Sequence, residues 1–138
     1  MLAQPLAALK DQLDALIAED GLLDAATVHL FANNYTPDVG TVVGDLTEAT
    51  FPGYATSTAV EWGAVYNIEG GKAVQGDRKQ FTASGAVDPQ QTVYGYYLMS
   101  GDVSPKYLGA ERFDTPVALA LAGDAVGVVP SFSVVNQP

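Results

Sequence analysis

Few side chains in this sequence are of a kind that does chemistry, and their spacing decides what each is for. His29 is the only histidine, set in the alternating stretch TVHLFA from Thr27 to Ala32. An imidazole with no second histidine, and no acid fixed beside it by the sequence, reads as a partly buried, hydrogen-bonded side chain without a catalytic or ligand role. Asp38, Asp45 and Glu48 make an acidic loop that invites a calcium reading. Calcium loops place oxygen ligands at every second position and close on a bidentate acid, a spacing absent here. Asp45 and Glu48 stand three apart, as a capping pair does, and predict one helical turn over Leu46 to Ala49, capped by Asp45 or, in another register, by Thr47. Tyr94 and Tyr96 lie in line on TVYGYYLM and, with Trp62 and Tyr107, offer stacking surfaces for a sugar ring. No cluster of Asn, Asp and Trp flanks them, which favours a tyrosine-rich core or interface. Arg78-Lys79, the only adjacent basic pair, reads as a solvated strand edge, since one pair makes no phosphate site. No catalytic, cofactor-binding or metal-ligating residue is assigned.

The elements that must position these groups are mostly strands. The exception is a helix from Pro5 to Asp20, with Pro5 at the first helical position and Asp20-Gly21 as the stop. Leu6, Leu9, Leu13 and Leu16 form a seam of a and d positions along it, suited either to the body of the subunit or to the same helix of a neighbour. Two heptads are too few for an autonomous coiled coil, because isolated helices below about 12 to 15 residues are marginal in water. That favours packing on the subunit's own body.

From Ala26 the period changes to two. Val28 and Leu30 give the first strand one apolar face, while Thr27, His29 and Phe31 make the other face mixed. Asn33 to Asp38 is turn chemistry, with Asn33 or Asn34 suited to a left-handed conformation, and Phe51 and Tyr54 anchor the loop on the core. Further strands are expected over Ala55 to Val60, Trp62 to Ile68, Ala73 to Gln75 after a Glu69-Gly70 hairpin turn, and Lys79 to Ser84 with Phe81 inward. Trp62, the only tryptophan, reads as a core anchor. Thr92 to Met99 is the strongest strand; strict alternation puts Val93, Gly95, Tyr97 and Met99 on one face and Thr92, Tyr94, Tyr96 and Leu98 on the other. Lys106 to Phe113 is its hairpin partner, with Glu111 and Arg112 on opposite faces. Asp114-Thr115-Pro116 breaks that strand, and Pro130 interrupts the last run, Val126 to Val135. Turn signals at roughly eight-to-twelve-residue spacing predict a mainly β fold: an antiparallel β-sandwich or jelly-roll-like domain of about eight strands over residues 26–138, joined to a helical segment over 1–25 as a single structural unit.

The 138 residues suffice for one domain with a real core and contain no cysteine, which excludes disulfides, thiolate metal sites and thiol catalysis. The formal net charge of −10, spread along the chain, disfavours nucleic acid and anionic membrane as direct partners. No apolar run reaches the about 18 to 20 residues of a membrane span, and the N-terminus lacks the basic start of a secretory signal, so the chain reads as soluble and unprocessed.

Several pieces, in colinear order, together resemble a family of small β-rich proteins of tailed bacteriophages. They are Leu30-Phe31 with Asn33-Asn34 and Thr36-Pro37, then LTEATFPGY, FTASG with TVYGYYL, and AERFDTPVAL with GDAVGVVPSF. They span about three quarters of the chain and leave out the N-terminal helix. The resemblance implies a non-enzymatic virion structural protein. Such a protein would be a capsid decoration or cement protein on the outer surface of the head, made in the host cytoplasm, binding the major capsid protein and self-associating as a homotrimer. The leucine seam, or Tyr94 and Tyr96, would supply the contacts. A tail or baseplate accessory protein and a carbohydrate-binding adsorption module are the alternatives. Hydrolysis ranks below both, since no Ser-His-Asp, His-rich or Gly-rich phosphate signature appears.

Overall fold

The run TVYGYYLM carries large side chains on both faces because it lies in the middle of a sheet. The computed structural model describes residues 21, 23–101 and 103–135. The expected helix from Pro5 to Asp20, and with it Leu6, Leu9, Leu13 and Leu16, lies outside the described residues. Within them the protein is mainly β, with eight strands paired antiparallel: β1 (Thr27–Phe31), β2 (Tyr66–Ile68), β3 (Gly71–Gln75), β4 (Lys79–Thr82), β5 (Gln91–Met99), β6 (Tyr107–Leu119), β7 (Ala125–Val128) and β8 (Ser131–Val135). They form three sheets, ordered β1-β5-β6, β2-β3-β8 and β4-β7. No helix among the described residues is long and apolar enough to cross a membrane.

The largest sheet has apolar clusters on both faces. Val28 and Leu30 point into the main core with Val93, Tyr96, Leu98, Phe51, Phe81 and Leu119. Phe31 points the other way, onto Leu46 and Tyr97, with Tyr35, Tyr94 and Met99 packed around them. The alternation read in β1 therefore separates an apolar core face from a mixed one, on which Phe31 is covered by the loop that leaves the strand.

Alternation fails in β5. Val93 pairs with Val117 and the next pair is Gly95 with Arg112, so Tyr94 alone faces the four residues Phe113 to Pro116. This bulge sends Tyr94 to the Tyr97 face and Tyr96 to the core with Val93, so the two tyrosines do not share a face. The same bulge corrects the expected break at Asp114-Thr115-Pro116: β6 runs through Pro116, whose missing N–H falls where no ladder bond is made. Pro130 does interrupt the last run, dividing β7, which pairs with β4, from β8, which pairs with β3.

Ala55 to Val60 is not a strand, nor is Trp62 to Val65. The outer edge of β1 is sealed instead by alternating backbone and side-chain bonds. Ser57 donates its N–H to Val28 O at 3.1 Å and accepts the Val28 N–H on Oγ at 2.7 Å; Val60 donates to Ala26 O at 2.8 Å; the Tyr54 hydroxyl accepts the Leu30 N–H at 3.1 Å. An edge closed this way has no row of free donors and acceptors for another chain to pair with. Trp62 is the expected anchor: its indole N–H donates to Leu23 O at 2.9 Å, and its ring packs against the main core and the Val74 cluster.

Lys79 departs from the solvated-edge reading. It is 8% exposed, and its ammonium donates to Thr58 Oγ1 at 2.8 Å, Ala59 O at 3.0 Å and Asp77 Oδ2 at 2.9 Å. Three acceptors match the three N–H donors, which makes burial of the charge tolerable. Lys79→Met keeps the stem but strips these partners of their donor, and is expected to lower stability by about 2 kcal/mol in urea titration.

Candidate functional site

The site is built on the mixed face of β1 and the loop that folds back over it. After Phe31 the chain turns without a left-handed residue at Asn33 or Asn34; Ala25 is the only non-glycine among the described residues with positive φ. Asn33 instead braces the returning chain, its side chain donating to Asp45 O at 2.9 Å and accepting the Thr47 N–H at 2.8 Å. The helical turn lies earlier than its expected place at Leu46 to Ala49, as a single 3-10 turn over Val43–Asp45. Asp45 caps it from within, taking the Val42 N–H on Oδ2 at 3.0 Å.

Glu48 has no part in that cap. It pairs antiparallel with Phe31 across the edge of β1, and its carboxylate meets His29. Glu48 Oε2 accepts from His29 Nδ1 at 2.7 Å and from the Tyr54 hydroxyl at 2.5 Å. With the Nδ1 proton committed to the carboxylate, Nε2 is free to accept from the Thr27 hydroxyl, 3.1 Å away. The imidazole lies on the Tyr97 ring, centroids 4.9 Å apart and planes 21° from parallel. Burial, with the Glu48 hydrogen bond, holds the Tyr54 phenol far above its usual ionisation; burial, with the Glu48 charge, pushes Tyr97 up to about 12. His29 is thus the partly buried, hydrogen-bonded residue expected, but with an acid that the sequence did not place beside it. A 19-residue excursion separates the two, and only the register of the returning chain, set by Asn33 and the Phe31 pairing, brings them together.

The loop from Tyr35 to Asp45 is stiffened by its own side chains. The Thr41 hydroxyl accepts the Asp38 N–H at 2.8 Å and lies 3.1 Å from the Tyr35 hydroxyl; Gly40 donates to Asp38 Oδ1 at 2.9 Å; Thr41 donates its N–H to Asp38 O at 3.2 Å. From the sheet side, the Arg112 guanidinium donates to Tyr35 O at 3.1 Å. On this frame Val39 is fully exposed, Val42 is 59% exposed and Val43 43%. The acids of the loop serve its geometry, and the valines are what it presents.

The tyrosines expected to make contacts are otherwise engaged. Tyr96 is 5% exposed, with its hydroxyl donating to Glu111 Oε2 at 3.2 Å and accepting the Ser131 N–H at 3.2 Å. Tyr94 is half-buried beneath the Arg112 guanidinium, 5.2 Å from its ring centre. Glu111 and Arg112 do point to opposite faces, each meeting the tyrosine on its own side. Tyr94 and Tyr107 pack on the Phe31 cluster, while Tyr96 lies in the main core with Trp62 against it, so the four form no common stacking platform. The residues sequence reasoning missed are the exposed valines. Their signal was present in Val39 and Val42-Val43, bracketing Gly40, as β-branched apolar residues in a turn-rich acidic stretch.

Set against known proteins, the chain matches no family model, no curated protein and no solved structure.

Proposed function

We propose that this is a tailed-phage virion structural protein of the capsid decoration or cement kind, an antiparallel β-sandwich of jelly-roll character. It binds the major capsid protein and sister copies, as a homotrimer, on the outer surface of the head. The observation that carries the reading is the braced loop that holds Val39, Val42 and Val43 in water. Leaving apolar side chains exposed on an ordered loop gains the free protein nothing, and burying them against a neighbour stabilises the complex without first having to order the loop. The resemblance across the β region supplies the kind of neighbour. The contribution to the shell is by binding: contacts made only in the assembled state shift the equilibrium towards it by mass action.

Heads assembled without this protein are expected to lose their contents at lower temperature than complete heads, and added protein to restore them. Recovery of the protein with tails alone would instead favour the accessory reading. Glycan-array binding with head stability unaffected would favour the adsorption module.

A further inference from the structure

We propose that Thr27, His29 and Glu48 form a hydroxyl-activating site that accepts acyl groups from small uncharged esters. Thr27 and His29 are two apart on β1 and so project from one face. The chain of contacts runs from Thr27 Oγ1 to His29 Nε2 at 3.1 Å and from His29 Nδ1 to Glu48 Oε2 at 2.7 Å. A nucleophile within reach of a base that is itself oriented by a third group defines nucleophilic catalysis by geometry, whatever the order of the residues in the sequence. Each supporting member is held in place. Glu48 is fixed by Tyr54, Tyr54 by the Leu30 N–H, and the imidazole by the Tyr97 ring.

A polar network that only closed the edge of a sheet would have no need of an opening. Here Thr27 and His29 line an open cavity of about 380 Å³ together with Thr56, Met99, Gly101 and Pro105. Among the described residues, the imidazole is the only ionisable side chain that lines it, which suits an uncharged ester over a phosphate or a carboxylate.

In the reaction the Thr27 oxygen bonds to the ester carbonyl carbon while its proton passes to Nε2 of His29, and the carbonyl electron pair moves onto its oxygen. The imidazolium is held by Glu48. When that pair returns, the carbon–oxygen bond to the leaving alcohol breaks, and the alcohol takes the proton from Nε2. Thr27 is left as an acyl ester. A water deprotonated by His29 then releases the acid by the same steps and restores the hydroxyl.

The full chain is incubated with p-nitrophenyl acetate, following nitrophenolate release and mapping acetylation by peptide mass spectrometry. The expected result is a burst of one equivalent per chain with the acetyl group on Thr27. The burst should be absent in Thr27→Val, which keeps the β-branched shape, retained in Thr27→Ser, and slowed about 100-fold in His29→Gln. Acetylation confined to lysines or tyrosines, or a burst that survives Thr27→Val, would overturn the assignment.

Discussion

Gly95→Ala is expected to lower the unfolding free energy by about 3 kcal/mol or more, the largest effect of any single methyl group we foresee in this protein. A Cβ at this position would lie 2.2 Å from the Glu111 carbonyl oxygen and 2.5 Å from Cζ of Phe31. The first is backbone of the neighbouring strand; the second belongs to a ring with no exposed surface. Neither can swing aside as the tip of a flexible side chain would, so the β5–β6 ladder must open or Phe31 must leave its cluster. Gly95 follows the Tyr94 bulge directly, and its missing side chain is what lets the Phe31 ring lie against β5. Gly44, in the exposed 3-10 turn, is the control: nothing lies within 4 Å of its would-be Cβ. Gly44→Ala should stay within about 0.5 kcal/mol of the parent. In urea the midpoint should fall sharply for the first and hold for the second, with slopes unchanged.

The second large effect is on the alkaline side. Burial raises the ionisation of Tyr54, Tyr96, Tyr97 and Tyr107 in the folded protein, with Glu48 adding to the shift of Tyr54 and Tyr97, Glu111 to that of Tyr96, and Tyr35, Asp45 and Asp38 to that of Tyr107. In the unfolded chain these phenols ionise near about 10. The folded state therefore holds phenolic protons after the unfolded chain has given them up. The stability this contributes is fully present below pH about 10 and is lost as pH climbs through the folded ionisations, the Tyr97 value being about 12. Each tyrosine contributes up to about 1.4 kcal/mol per pH unit inside its own window. Thermal melts from pH 8 to 11.5 should show a flat region followed by a steep fall, and Tyr97→Phe should make that fall shallower. A melting temperature independent of pH up to 11.5 would contradict it.

What the sequence made legible was local. The Glu69-Gly70 turn, the strength of β5, Phe81 pointing inward, the two faces of β1 and the interruption at Pro130 each stem from a rule acting over a few residues, and each stands in the structure. What it hid was register. Counting by twos from Val93 puts Tyr94 and Tyr96 together, and a single bulge separates them; its one sign in the sequence is Gly95, since a lone glycine inside a strand marks a bulge or a close approach. Asp114-Thr115-Pro116 carries every sign of a break, yet the bulge supplies the gap in the ladder that proline needs. Ala55 to Val60 has the composition of a strand but closes the β1 edge partly with side chains, which no alternation pattern encodes. Asp38 and Asp45 take backbone N–H groups of their own loop, local bonds of the kind that turn and capping residues make. Glu48 reads as half of a cap because Asp45 is near it in sequence, whereas its partner in space, His29, lies 19 residues away. Lys79 reads as surface until Asp77, Thr58 and Ala59 are seen to surround its ammonium.

If the braced loop is a binding surface for the phage head, direct binding tests it best. Purified protein is titrated onto heads assembled without it, alongside the Val39→Asp, Val42→Asp double variant, and the bound fraction is measured after sedimentation. The expected result is saturable binding by the parent, weakened at least about 100-fold in a variant whose urea midpoint is unchanged, since charge placed in a buried apolar contact costs several kcal/mol. Equal binding by the two proteins, or no binding of the parent to heads, would contradict the assignment of the loop.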